Sequence, residues 1–134
     1  MKSEERLLDE LREAAAGLSM MSESDYPVEV IRWEARAGGV TPELLRAAAG
    51  AETSAPITEQ SAAEFFRVAT AEPAWKSEAE LATARRFQRL LGLLEENLEE
   101  LRAYRVGEIN IPVYVVGRAP SGSLIGVSTR VVET

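Results

Sequence analysis

Apolar residues recur every three or four positions near the start of the chain and every second position near its end. Leu7, Leu8, Leu11, Ala14, Ala15 and Leu18 share one helical face with Glu and Arg between them, so residues 3–18 are predicted as an amphipathic helix. Ser3 suits its N-cap, and Glu4 and Glu5 complement the dipole of its first turn. The period changes after Pro27. Val28-Glu29-Val30-Ile31-Arg32-Trp33-Glu34 is dominated by β-branched and aromatic residues and reads as a strand, closed by Gly38-Gly39.

Thr41-Pro42-Glu43 opens a short helix that Gly50 stops. Residues 51–57 read as a loop. A further short helix carrying Phe65 and Phe66 starts either at Thr58-Glu59-Gln60 or at Ser61-Ala62-Ala63-Glu64; the second has the spacing of a capping box. Ala71 to Lys76, with Pro73 and Trp75, breaks it. Ser77 and Glu80 form another capping box at the head of the longest element. Leu81, Ala84, Phe87, Leu91, Leu94, Leu98 and Leu101 then hold one face for about seven turns, a stripe suited to burial against a sheet. Residues 109–116 and 125–132 alternate as two strands, joined through the turn residues Ala119 to Ser123 into a hairpin. Pro112 has no amide hydrogen to offer a ladder, which assigns it to a sheet edge or a bulge.

Helix, strand, helices, long helix and hairpin make an α+β fold with a mainly antiparallel sheet and helices on one or both faces. Residues 1–134 fit a single domain. The chain has no cysteine and no histidine, which removes disulfides, zinc thiolates and every histidine-based catalytic device. With 15 Lys and Arg against 22 Asp and Glu, the net charge is -7. Such a surface repels nucleic acid and anionic membranes and steers encounter with a basic partner. The N-terminus lacks an apolar signal core, and nothing approaches the ~18 apolar residues of a spanning helix. A cytoplasmic protein that binds another protein, with no catalysis or cofactor of its own, is the expectation.

Three groups of residues carry candidate chemistry. The loop Ser22-Glu23-Ser24-Asp25-Tyr26-Pro27 holds two carboxylates and two hydroxyls. It fits a hard-cation site, although it lacks the EF-hand spacing. It also fits a carboxylate pair of Glu23 with Asp25 or Glu29, or a loop whose side chains bond their own backbone. Trp75 stands outside any apolar repeat, as a cover for the core edge or as an exposed anchor; Trp33, within a strand, reads as core. The ending Val132-Glu133-Thr134 offers oxygen ligands at a tip, or is simply a frayed terminus.

Taken together, Met21-Ser22-Glu23-Ser24-Asp25-Tyr26-Pro27, Trp33-Glu34, Phe65-Phe66, Trp75 before the long helix and Val132-Glu133-Thr134 resemble the nuclease A inhibitor family (NuiA-like proteins) over nearly the whole chain. The resemblance implies a three-layer α-β-α sandwich. It also implies stoichiometric inhibition of a magnesium-dependent, sugar-nonspecific DNA/RNA endonuclease at its active-site cleft. Carried over residue by residue, Glu23 meets the basic nuclease surface, Trp75 makes a second contact, and Thr134 reaches the partner's catalytic magnesium. Asp25 and Glu133 adjoin these and join the expected partner-binding set. Ala74 stands where an acid is expected beside the tryptophan. That departure favours the alternative of a related acidic module with a different basic protein partner. The inhibitor binding mode requires Glu23, Trp75 and Thr134 to share one exposed surface.

Overall fold

The alternating residues near the end of the chain form the middle of a five-stranded antiparallel sheet, and the helical stripes pack on it. The computed structural model describes residues 3–20, 26–35 and 38–133. The elements run α1 (Glu4–Ala15), β1 (Ser19–Met20), β2 (Tyr26–Pro27), β3 (Glu29–Trp33), α2 (Pro42–Ala49), β4 (Ile57–Gln60), α3 (Ala62–Phe65), α4 (Arg67–Thr70), α5 (Glu78–Asn97), β5 (Glu99–Val106), β6 (Asn110–Arg118) and β7 (Leu124–Val132). The sheet order is β3-β7-β6-β5-β4, with β1 and β2 as a separate pair. Every described pairing is antiparallel.

The strands present different residues to two apolar clusters. Ile111, Val113, Val115, Ile125, Val127 and Val131 join Leu7 and Leu11 of α1 and Phe87, Leu90 and Leu94 of α5. Tyr114, Val116 and Leu124 join Leu45 of α2, with Trp33 packed against them. The period of two sends successive side chains of one strand to opposite faces. Because both faces of β6 meet apolar side chains, every residue from Ile111 to Gly117 is buried. Trp33 is partly buried, its ring 5.4 Å from that of Tyr114, in keeping with its reading as core. The close pairing of β6 and β7 leaves no room for a side chain at Gly126, where a Cβ would lie 1.8 Å from the Val115 carbonyl oxygen.

Local signals place the helices. Ser3, Thr41, Ser61 and Ser77 each accept an amide hydrogen bond at a helix start, and the Ser77–Glu80 capping box closes in both directions. Gly50 ends α2 in the left-handed conformation that glycine adopts without a Cβ penalty. Arg86 on α5 donates to the carbonyls of Ala14 and Ala16, satisfying acceptors that the last turn of α1 leaves open.

Several local expectations are corrected. Thr58-Glu59-Gln60 belongs to the edge strand β4, and Ser61 is the residue that caps the next helix. The long helix stops at Asn97, and residues 99–106 form β5. Leu98 is buried in the first cluster and Leu101 packs against it, so both serve the core from beyond the helix. Their spacing matched a helical face by coincidence. A β-bulge between Glu99 and Arg102, with Glu100 at φ 55, shifts the strand's alternation and hides its period. Pro112 lies in a central strand, not at an edge. It is just past Arg105↔Val113, the last pair between β5 and β6, so a ladder partner faces it only from β7, at Arg130. Ile109 precedes β6 in a turn and is 58% exposed, although the alternation placed it with the core-facing set.

Candidate functional site

The strand register and helix packing define two ends of the sheet. β7 begins at Leu124, beside the 119–123 turn, and finishes at Val132; these are the turn end and the tail end. At the turn end, Ser3, Glu4 and Leu7 of the first helical segment, residues 95–99 and residues 118–122 line a cleft of about 1010 Å³. The C-terminus of α5 therefore meets the N-terminus of α1, and the two helices run antiparallel. Arg86 lies against the other end of α1. From Arg86 back to Ser77, α5 extends about 13 Å further toward the tail end, at 1.5 Å per residue. Trp75 precedes that helix start.

Trp75 is 75% exposed. Its mount is firm. The Lys76 amide donates to the Pro73 carbonyl at 3.1 Å, which puts Ala74 and Trp75 at the middle of a tight turn. The Lys76 ammonium donates to the carbonyls of Ala71 at 2.7 Å and Val68 at 3.3 Å. Gln88, on α5, donates to the Thr70 carbonyl at 2.8 Å and to Glu72 at 2.9 Å. Arg85 pairs with Glu72 at 3.2 Å. The bond from Gln88 first, and the charge of Arg85 next among the favourable influences, hold the Glu72 carboxyl below its ordinary pKa. The indole thus stands on a loop ordered without it, an arrangement that limits the entropy lost on docking.

Ala74 is exposed and presents no charge. Glu72 is engaged with Arg85 and Gln88, so it offers no free acid in compensation. Glu78, in the first turn of α5, is exposed.

Glu133 follows β7 at the tail end. Its carboxylate accepts from Arg105 at 2.5 Å, and its amide donates to the Ile109 carbonyl at 3.0 Å. Glu23, Asp25 and Thr134 lie outside the described residues. The flanks of the 21–25 loop are described: Met20 pairs with Tyr26, Thr129 donates to the Tyr26 carbonyl at 3.3 Å, and Arg130 lies 6.0 Å from the Tyr26 ring centroid. The β1–β2 pair that flanks the loop therefore lies beside β7, three or four residues before Glu133. Of the expected set, the described members Ala74, Trp75 and Glu133 all belong to the tail end, as do the roots of the loop that carries Glu23 and Asp25.

Of the carboxylates Glu23, Asp25 and Glu29, the candidates for a catalytic pair, only Glu29 lies among the described residues. Glu29 is exposed and borders a shallow recess of about 230 Å³ with Tyr26, Tyr114, Ser128 and Arg130. Among the described residues no group of three or more acidic side chains is disposed to hold a metal ion. No described helix is long and apolar enough to cross a membrane.

Arg105, Gln88 and Lys76 were missed in the sequence because each acts through a contact distant along the chain or through a backbone carbonyl. Ile109 was discoverable: Gly107-Glu108 before it is a turn signal that outweighs one more step of alternation.

The model of a family described as nuclease A inhibitor-like protein matches residues 5–134. No curated protein matches the chain.

Proposed function

This chain belongs to the nuclease A inhibitor-like family, and from that premise we propose that it is a stoichiometric inhibitor of a magnesium-dependent, sugar-nonspecific DNA/RNA endonuclease. It is a single domain of three layers, α-β-α, a reading supported by the two apolar clusters that the sheet residues share with α1 and α5 and with α2. It works in the cytoplasm and fills the partner's active-site cleft with its tail end. Glu23 and Asp25 face the basic rim of that cleft, Trp75 is the desolvated anchor, and Thr134 brings a hard oxygen ligand to the catalytic magnesium. A cleft that holds a polyanion attracts a protein of net charge -7 over distance, and the same charge keeps the inhibitor off nucleic acid.

The observation that carries the reading is the indole of Trp75, exposed on a pinned loop at the same end of the sheet as Glu133 and the roots of the 21–25 loop. The test is titration against a magnesium-dependent nonspecific nuclease from the protein's own source, read by digestion of supercoiled DNA. Inhibition complete at one equivalent is expected, and removal of Thr134 weakens it. Undiminished digestion at several equivalents sinks the proposal.

One observation favours a second reading. Ala74 is uncharged, Glu72 is held by its own chain, and Glu78 is exposed but three residues further on, so the position beside the tryptophan itself carries no acid. A different basic protein is then the partner. Affinity capture from native lysate distinguishes the two: recovery of a basic protein without nuclease activity supports the second.

A further inference from the structure

We propose that Arg105 is a positioning residue: it fixes Glu133 and thereby aims the residue that follows. The part of this proposal that concerns binding rests on the inhibitor reading; the positioning itself does not.

Glu133 is held twice. Its amide hydrogen goes to the Ile109 carbonyl in the β5–β6 turn, and its carboxylate to the guanidinium of Arg105 on β5. β6 lies between β5 and β7, so the ion pair reaches across an intervening strand. Arg105 itself is anchored by register, opposite Thr58 on one side and Val113 on the other. Its side chain is 22% exposed, the most shielded cation among the described ion pairs. Two bonds from different elements set both the backbone and the side chain of Glu133. A residue so held has little freedom to turn toward a partner, and its charge is already matched. Glu133 accordingly acts as a tether instead of a direct contact, and a single peptide unit separates it from the residue on which the inhibitor reading rests.

The experiment compares Arg105→Gln, Glu133→Gln and the double variant, each with and without Thr134, by inhibition of a magnesium-dependent nonspecific nuclease. Melting temperatures and the heteronuclear NOE of the residue 134 amide are measured alongside. Each single change should raise the inhibition constant about threefold to fivefold, the scale of one partly exposed ion pair. The double variant should match either single one, and none should matter once Thr134 is removed. The NOE at residue 134 should fall in Arg105→Gln with the melting temperature near wild type. A loss confined to Glu133→Gln, or persisting without Thr134, overturns the proposal in favour of direct contact. An unchanged NOE overturns it as well. If the wild-type protein inhibits no such nuclease, the inhibitor reading fails by itself, and the NOE decides the positioning alone.

Discussion

At the turn end, Arg32 donates to Glu4 at 2.8 Å and to Ser123 at 3.0 Å, Ser121 donates to Glu4, and Arg118 pairs with Glu99 and Glu100. At the tail end, Val68, Trp75 and Ile109 stand exposed, the large hydrophobic residues so placed among the described ones. One end matches its polar groups with one another, beside the cleft that it lines. The other uses its polar contacts, Gln88 to Thr70 and Lys76 to Ala71, to hold up an apolar side chain that touches little else. Interactions that stabilise the fold and interactions that prepare a docking surface are both hydrogen bonds. What separates them is whether the group they order is buried or presented.

The sharpest way to break this contrast is Trp75→Ala. An indole exposed to this degree adds little to the core, so stability should change by less than about 0.5 kcal/mol. On the inhibitor reading, binding should weaken by about 2–4 kcal/mol, some 30- to 1000-fold, as for other central tryptophan anchors. Inhibition constants and urea denaturation measure the two separately. A large loss of stability with unchanged inhibition would return Trp75 to the role of a core cover.

The mirror experiment lies at the turn end. Arg32→Ala removes the cationic partner of Glu4 and one of the two donors to the buried Ser123 hydroxyl, leaving that of Ser121. Stability should fall measurably, through loss of an exposed ion pair and one hydrogen bond, while inhibition should stay within twofold. A variant that loses inhibition in step with Trp75→Ala would show that the two ends are not independent.

The difference between the ends also marks what the sequence discloses. Ser3, Thr41, Ser61 and Ser77 announced their helix starts because a cap depends on neighbours within three residues. β6 and β7 are legible because aliphatic residues recur two positions apart, the set that a pleat turns to one face. β4 was read as a loop and helix start because Ile57-Thr58-Glu59-Gln60 is short and mostly polar, and only its pairing with β5 makes it a strand. β5 was absorbed into the helix because Glu-Glu-Leu-Arg-Ala favours helix until its pairing with β6 overrides it. For the site, Trp75 was singled out by its isolation from any repeat. The ties of Glu72 to Arg85 and Gln88 that help to mount it, and the pairing of Glu133 with Arg105, join residues 13 to 28 positions apart and leave no local pattern.

A smaller effect sharpens the idea of a preformed mount. Gln88→Ala deletes the bonds to Thr70 and Glu72 while leaving the indole in place. Binding should weaken by about 0.5–1 kcal/mol, two- to fivefold, through loosening of the loop before docking. The change should appear in the association rate or in amide exchange of residues 71–76. Unchanged exchange with weaker binding would mean that Gln88 contacts the partner itself.

The smallest expected effect is in acid. At the turn end, the hydrogen bond from Ser121 first and that from Arg32 next lower the pKa of Glu4 from the ordinary 4.5. At the tail end, Glu72 is lowered chiefly by Gln88, and Glu80 by the backbone of Ser77. A carboxyl with a folded-state pKa below its unfolded value stabilises the fold fully above the unfolded value and loses that contribution as pH falls through the folded one. The chain has no histidine to titrate in the intervening range. Stability measured by urea denaturation should therefore hold steady from pH 7 to about 5 and decline below about 4.5. Glu4→Gln should flatten part of that decline, Glu72→Gln another part, and their effects should add, since the two carboxyls occupy opposite ends of the sheet. If one substitution alone removes the whole slope, the acid response belongs to a single end.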